Sequence, residues 1–340
     1  MSLVKLLKKK NRKILFTTPS HGQKFFIFNK FRQFYKYDIS ETEAYDPQTA
    51  LLKAEKNAAK IYNTKYRNFL TNGSTSGIIA AVLSCTQKGD KVLIWKNAHP
   101  CHYNAVKLAC CEPIFYDTAI DEKWGIPSKV SPELIDIKGI KAIIVTSPTY
   151  EGIVSDLSAL KEVCRKNKTY LIVDEAHGAL YPFSNRLPQS AVNIADFTIQ
   201  SLHKTAGGLN PTALLHSNCI DPTEALSIIN TTSPSYPLLA SIEANINYLN
   251  SSKGRKKLEN IIDEIISLKS NCPNIEFGGD DITKILIKKQ NLTGFELSEK
   301  LYNNFNIEDE KTNQKSTMLL CGIGTTKQKL LKLENALKKL

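Results

Sequence analysis

Short apolar runs alternate with helical patterns through the middle of this 340-residue chain, and that alternation restricts its fold more than any single residue does. Strands are expected at 91–95, 113–116, 142–146, 170–174, 197–200 and 212–216, with amphipathic helices between several of them, for example at 103–110 and 157–167. Repeated β/α alternation predicts an α/β protein with a mostly parallel sheet and helices on both faces. Beyond Tyr236 the pattern becomes helical to about Lys269, with a break at 251–254. Strand-like 284–288, a helix at 294–304, strand-like 317–321 and a helix at 327–340 then make a second, smaller α/β unit. The organisation read from this is an N-terminal arm (1–45), a large domain (46–250) and a small C-terminal domain (251–340).

In an open α/β sheet, ligands bind beyond the C-terminal ends of the strands, so the residues placed there carry the functional signal. Three such ends stand out. The segment from Tyr66 runs from a strand-like stretch into Asn72-Gly-Ser-Thr-Ser-Gly77, where hydroxyls and backbone N–H groups face an anion at a helix start. The 170–174 run ends on Asp174-Glu-Ala-His177-Gly178. The 197–200 run leads into Ser201-Leu-His-Lys204-Thr205. An anion turn, a carboxylate and a lysine in that order match the needs of pyridoxal phosphate, which has a phosphate, a ring nitrogen favoured in its protonated form by a carboxylate, and an aldehyde that condenses with a lysine. Asp174 would hold the ring nitrogen cationic and Lys204 would be the Schiff-base lysine.

The chain resembles the pyridoxal-phosphate-dependent ornithine/lysine/arginine decarboxylases. The likeness rests on Phe16-Thr-Thr-Pro19-Ser20-His21, Asn72-Gly-Ser-Thr-Ser-Gly77, Asn97-Ala-His99, Ser147-Pro-Thr-Tyr-Glu-Gly152, Asp174-Glu-Ala-His177, Ser201-Leu-His-Lys204, Thr212-Ala-Leu-Leu-His216 and Thr231-Thr-Ser-Pro-Ser-Tyr236, in the family's order. It implies the aspartate-aminotransferase-like fold type I, with a seven-stranded sheet, in a short form lacking the family's additional C-terminal domain. It further implies that Ser74, Thr75 and Ser76 hold the phosphate with Ser201 and His203, and that Thr231 reaches the phosphate of a neighbouring subunit in a homodimer. His99 would stack on the pyridine face and His177 would lie close to the ring. The implied reaction is decarboxylation of arginine, lysine or ornithine to the amine, as in polyamine metabolism.

Four positions depart from the family pattern: Asn210-Pro211 after the lysine, Lys96 for Arg, Cys101 for Ser, and Ser20 for Gly. Pro211 lacks a backbone donor and is expected to alter the wall behind the lysine. His99 and the 74–76 turn also read as ordinary helix-start residues, His216 reads as structural, and His21 carries no independent signal.

Other functional classes fit less well. Asp174-Glu-Ala-His177 also spells a helicase-type carboxylate motif, but such ATPases need a Gly-Lys-Ser/Thr phosphate loop, and the chain has no Gly-Lys dipeptide. A net charge of +12 would suit a nucleic-acid partner, yet the lysines cluster at 8–13, 253–257 and 327–339 without interleaved aromatics, which reads as a solvated surface. Eight cysteines without a C-x-x-C pair read as reduced thiols rather than metal ligands. No apolar run approaches the ~20 residues of a membrane span, and the order of charge and hydrophobicity over 1–13 is the reverse of a signal peptide's, so a cytoplasmic protein is expected. An aminotransferase or other lyase of the same fold, or a non-catalytic paralogue, is the alternative. No arginine follows Arg255, and aminotransferases commonly clamp the substrate carboxylate with one, so decarboxylation is the expected reaction.

Overall fold

The computed structural model describes residues 14–16 and 50–340, Ser233 excepted; His21, Ser20 and most of the expected N-terminal arm lie outside the described residues. In chain order the elements are β1 (Ile14–Leu15), α1 (Ala50–Tyr62), β2 (Tyr66–Leu70), α2 (Ser74–Cys85), β3 (Lys91–Trp95), α3 (Pro100–Leu108), β4 (Glu112–Tyr116), β5 (Ile120–Asp121), β6 (Ile126–Pro127), β7 (Ala142–Thr146), α4 (Leu157–Lys166) and β8 (Tyr170–Asp174). They continue with β9 (Phe197–Ser201), β10 (Ala213–Ser217), α5 (Thr223–Ile229), α6 (Tyr236–Asn250), α7 (Ser252–Asn271), β11 (Glu276–Gly278), β12 (Lys284–Lys288), α8 (Gly294–Phe305), β13 (Ile307–Glu308), β14 (Lys311–Thr312), β15 (Thr317–Leu320) and α9 (Lys327–Lys339).

The expected seven-stranded sheet is present in the order β2-β10-β9-β8-β7-β3-β4. Only β10 runs against its neighbours, pairing antiparallel with both β2 and β9. Its strands are apolar on both faces because helices cover both sides. Along β7 and β8 the side chains alternate between two clusters: Ile144 and Ile172 pack toward α2 and α3, whereas Ile143, Val145, Leu171 and Val173 pack toward Leu157, Leu160 and Cys164 of α4. The 3–4 spacing of those α4 residues gives a single buried stripe, and Asp156 starts the helix by accepting the Ala159 N–H at 2.9 Å.

Two helix starts differ from the sequence expectation for local reasons. The 103–110 helix begins earlier, at Pro100, because His99 caps it and proline suits the first helical position; it stops by Cys110, which has φ 53°. The helix at the Asn72–Gly77 anion turn begins within that turn, at Ser74, directly after Gly73 at φ 84°, a backbone state that glycine reaches without steric cost.

The second unit is a four-stranded antiparallel sheet, β11-β12-β15-β14. Ile285, Ile287 and Leu319 bury one face against α7, α8 and α9, and the same apolar cluster extends to Leu202 and Leu214 beside the large sheet. Burial of each such side chain contributes roughly 1.5–3 kcal/mol. A polar contact also links the units: fully buried Lys284 donates to the His177 carbonyl at 3.2 Å and to Asp281 at 3.1 Å. Among the described residues, no helix is long and apolar enough to cross a membrane.

Candidate active site

The loops after β3, β7, β8 and β9 converge on a cavity of about 510 Å3. Lys204 reaches it from a single π-helical turn, 202–206, which closes on left-handed Gly207; such wide turns recur at functional sites. Its Nζ lies 3.0 Å from His177 Nε2. Burial is the largest influence on Lys204 and lowers its pKa, with Asp174 opposing. His177 is held well below the usual imidazole value by burial first, then by the charges of Lys204 and Lys284. A neutral imidazole beside the amine can therefore accept a hydrogen bond from it.

Asp174, at the end of β8, lines the same cavity. Its Oδ1 accepts the Ala176 N–H at 3.1 Å, and its Oδ2 lies 2.9 Å from His102 Nε2. Burial pushes the carboxyl up, but the His102 hydrogen bond and charge, Lys204 and the Ala176 amide together hold it below the ordinary carboxylate value. The carboxylate is thus kept ionised where a cationic ring nitrogen would need it.

The other expected residues separate into groups. Ser74 and His99 line the cavity; His99 also caps α3, accepting the Cys101 N–H on Nδ1 at 3.2 Å. The Ser76 hydroxyl turns back into its own loop, toward Asn72 Oδ1 at 2.7 Å and the Gly73 carbonyl at 2.9 Å, leaving its backbone N–H as the group for an anion. Burial pushes the Cys101 thiol up to about 12, with the neighbouring Thr75 side chain opposing. The His203 ring meets the Thr212 carbonyl at 3.1 Å. Thr231 lines a separate cavity of about 450 Å3, with Leu51, Phe69 and Leu226. Pro211 sits beside the anion turn, its Cβ 3.9 Å from where a Gly73 Cβ would lie. His216 is buried with Gln200, Arg67 and the Tyr62 ring.

Two observations fit this site to a phosphate-bearing aldehyde cofactor. The first turn of α2 is capped by a glycine, which offers no side chain to its amides. Ser201 Oγ, three residues before Lys204 though not itself lining the cavity, is fully buried without a hydrogen-bond partner among the described residues, a costly state unless a ligand completes it.

Several contributors were not singled out from sequence. His102 stands three residues after His99, a spacing that puts both on one helix face, and that was the available signal. Tyr150 packs its ring 4.4 Å from the His177 ring and donates to Glu310 at 2.5 Å. Glu151 and Lys311 pair at 2.6 Å on the cavity wall. Lys311 comes from a two-residue strand of the small sheet, which leaves no periodic pattern. Cys101, His102 and Asp174 also place three ligand-type atoms within 4.8 Å of one another.

The sheet order is that of the fold type I architecture, with the lysine and the carboxylate at strand ends beside one cavity. The chain belongs to the family described as "Orn/Lys/Arg decarboxylase, major domain", whose profile matches residues 3–290. It is 30% identical over 274 residues to the uncharacterized protein YaaO of Bacillus subtilis, covering 75% of this chain and 57% of that one. It is 29% identical over 333 residues to the arginine decarboxylase of Bacillus subtilis, covering 87% of this chain and 68% of that enzyme. Its fold matches the constitutive lysine decarboxylase of E. coli with a TM-score of 0.78 at 18% identity, over 98% of this chain and 59% of the other. The chain thus spans little more than half the length of some of its relatives.

Proposed function

We propose that this protein binds pyridoxal phosphate and decarboxylates a basic amino acid, arginine, lysine or ornithine, to agmatine, cadaverine or putrescine and CO2. The observation that carries this reading is the Lys204 amine 3.0 Å from a neutral His177, in one cavity with an ionised Asp174. When bound, the cofactor supplies an electron sink for the pair left on Cα as CO2 departs.

The chain's own residues do the rest. The first-turn amides of α2, with Ser74 and Ser201, would hold the phosphate, and Asp174 would hold the ring nitrogen protonated. His99, fixed by its cap to α3, would cover one side of the cavity and set the ring's tilt. Lys204, with its pKa lowered by burial, supplies an uncharged amine more readily than a surface lysine does. It can afterwards return a proton at Cα, with His177 Nε2 orienting the amine by a hydrogen bond. The reading includes a cytoplasmic homodimer in which Thr231 serves the neighbouring subunit.

Lys311 gives the aminotransferase alternative its foothold, because it brings a cation from the small sheet to the cavity, where a substrate carboxylate could be clamped. Its pairing with Glu151 disfavours that role. The test is to load the full chain with pyridoxal phosphate and supply each of the three amino acids. Visible absorbance, CO2 and the matching amine are expected from wild type, and Lys204→Ala should lose all three. A keto acid in place of CO2 would select the aminotransferase; no product with any of the three would refute the decarboxylase.

A further inference from the structure

We infer that Glu151 is the subsite for the distal cation of the substrate, and that Lys311 Nζ is an internal occupant which that cation displaces. This rests on the basic-amino-acid reading above for the end of the substrate held near Lys204, and on the following geometry for the other end.

Glu151 and Lys311 pair at 2.6 Å, but their surroundings differ: the Glu151 side chain is 5% exposed and that of Lys311 is 48% exposed. A buried carboxylate without a cation is costly, whereas a long lysine side chain moves its head into water with little loss. The exchange is therefore one-sided. An incoming ammonium or guanidinium can replace Lys311 and keep Glu151 paired; an uncharged tail cannot.

The distances set an upper limit on the span that a single ligand would bridge. Lys204 Nζ lies 6.0 Å from the Tyr150 ring centroid and Lys311 Nζ lies 4.9 Å from the same centroid. The two nitrogens are thus no farther apart than the sum of those lengths. Tyr150, which neighbours both nitrogens, is fixed by its hydroxyl's bond to Glu310 at 2.5 Å and by its contact with the His177 ring. Glu151 belongs to the loop after β7, which turns on Gly152 at φ 91°, and Lys311 belongs to β14. The displaced bond therefore joins the two sheets, and substrate charge would be read at their junction.

The test compares cadaverine with pentylamine, which has the same length and one amine fewer, by calorimetric titration of the full chain loaded with pyridoxal phosphate. Wild type is expected to bind cadaverine at least about tenfold more tightly, as a hydrogen-bonded charge pair would give. Glu151→Gln should abolish that preference and leave pentylamine unchanged. Lys311→Met should tighten cadaverine several-fold, because the competitor is gone; a merely structural clamp would predict weaker binding or none of this gain. Retention of the preference in Glu151→Gln, or weaker cadaverine binding in Lys311→Met, overturns the inference. Failure of the decarboxylase reading is seen separately, as absent CO2 from all three amino acids in wild type.

Discussion

His102 Nε2 lies 2.9 Å from Asp174 Oδ2, with the histidine wholly buried. That bond ties the end of β8 to the first turn of α3, and it opposes the effect of burial on the carboxyl. Removing it should raise the Asp174 pKa and weaken the hold on a cationic ring nitrogen. A hydrogen bond to a charged group contributes about 1.5–3 kcal/mol, so His102→Leu should weaken pyridoxal phosphate binding by roughly ten- to a hundredfold. His102→Asn, which retains a donor, should recover part of the loss. Titration of visible absorbance measures both, and unchanged affinity in His102→Leu would remove the bond from the account.

Lys284 is fully buried and holds Asp281 and the His177 carbonyl. Lys284→Met strands the Asp281 charge, which already accepts from the Tyr181 hydroxyl at 2.9 Å, and should cost about 3–5 kcal/mol of stability. The double variant Asp281→Asn, Lys284→Met should be more stable than the single one in urea denaturation. Equal stability of the single variant and wild type would contradict the pairing.

Gly77 brings α2 against the sheet. A Cβ there would lie 2.8 Å from Leu70 Cδ1 and 2.9 Å from Ile199 Cγ2. Alanine is the better helix former, but overpacking should dominate, costing about 1–3 kcal/mol. Thermal unfolding of Gly77→Ala should show a lower midpoint than wild type, and a higher midpoint would show that the helix can shift freely.

Glu55 Oε1 accepts the Phe69 N–H at 2.8 Å beside the second cavity. Burial pushes its carboxyl up to about 7 from an ordinary 4.5, against that bond and Arg67. Because the folded value is the higher one, its contribution is present below the unfolded value and is lost as pH rises through the folded one. Glu55→Gln keeps an oxygen for Phe69 and cannot ionise. Its stability relative to wild type should therefore rise between about pH 5 and about pH 8, by on the order of 1–3 kcal/mol. Urea denaturation at both pH values measures this; a relative fall would reverse the sign.

The alternating strands and helices were legible because their signals are local. Residues 91–95, 142–146 and 170–174 form strands at the limits expected from apolar runs alone. The strand-end placement of Ser74, Asp174 and Lys204 followed from the turns after the segment from Tyr66 and after the 170–174 and 197–200 runs, and all three line one cavity. His99 reads as an ordinary helix-start residue as well as a ring-stacking one, and it does cap α3, though that helix starts three residues before the expected 103.

Which histidine meets Asp174, and which cation meets Glu151, was not readable. His102 and Asp174 are separated by 72 residues, and Glu151 and Lys311 by 160. The amino-acid pattern by itself determined the elements and the chemical groups at their ends, because periodicity and turn chemistry act over a few residues. The tertiary structure alone decided the pairings, because they depend on the strand order β2-β10-β9-β8-β7-β3-β4 and on where the small sheet docks, both set by side-chain packing between distant segments.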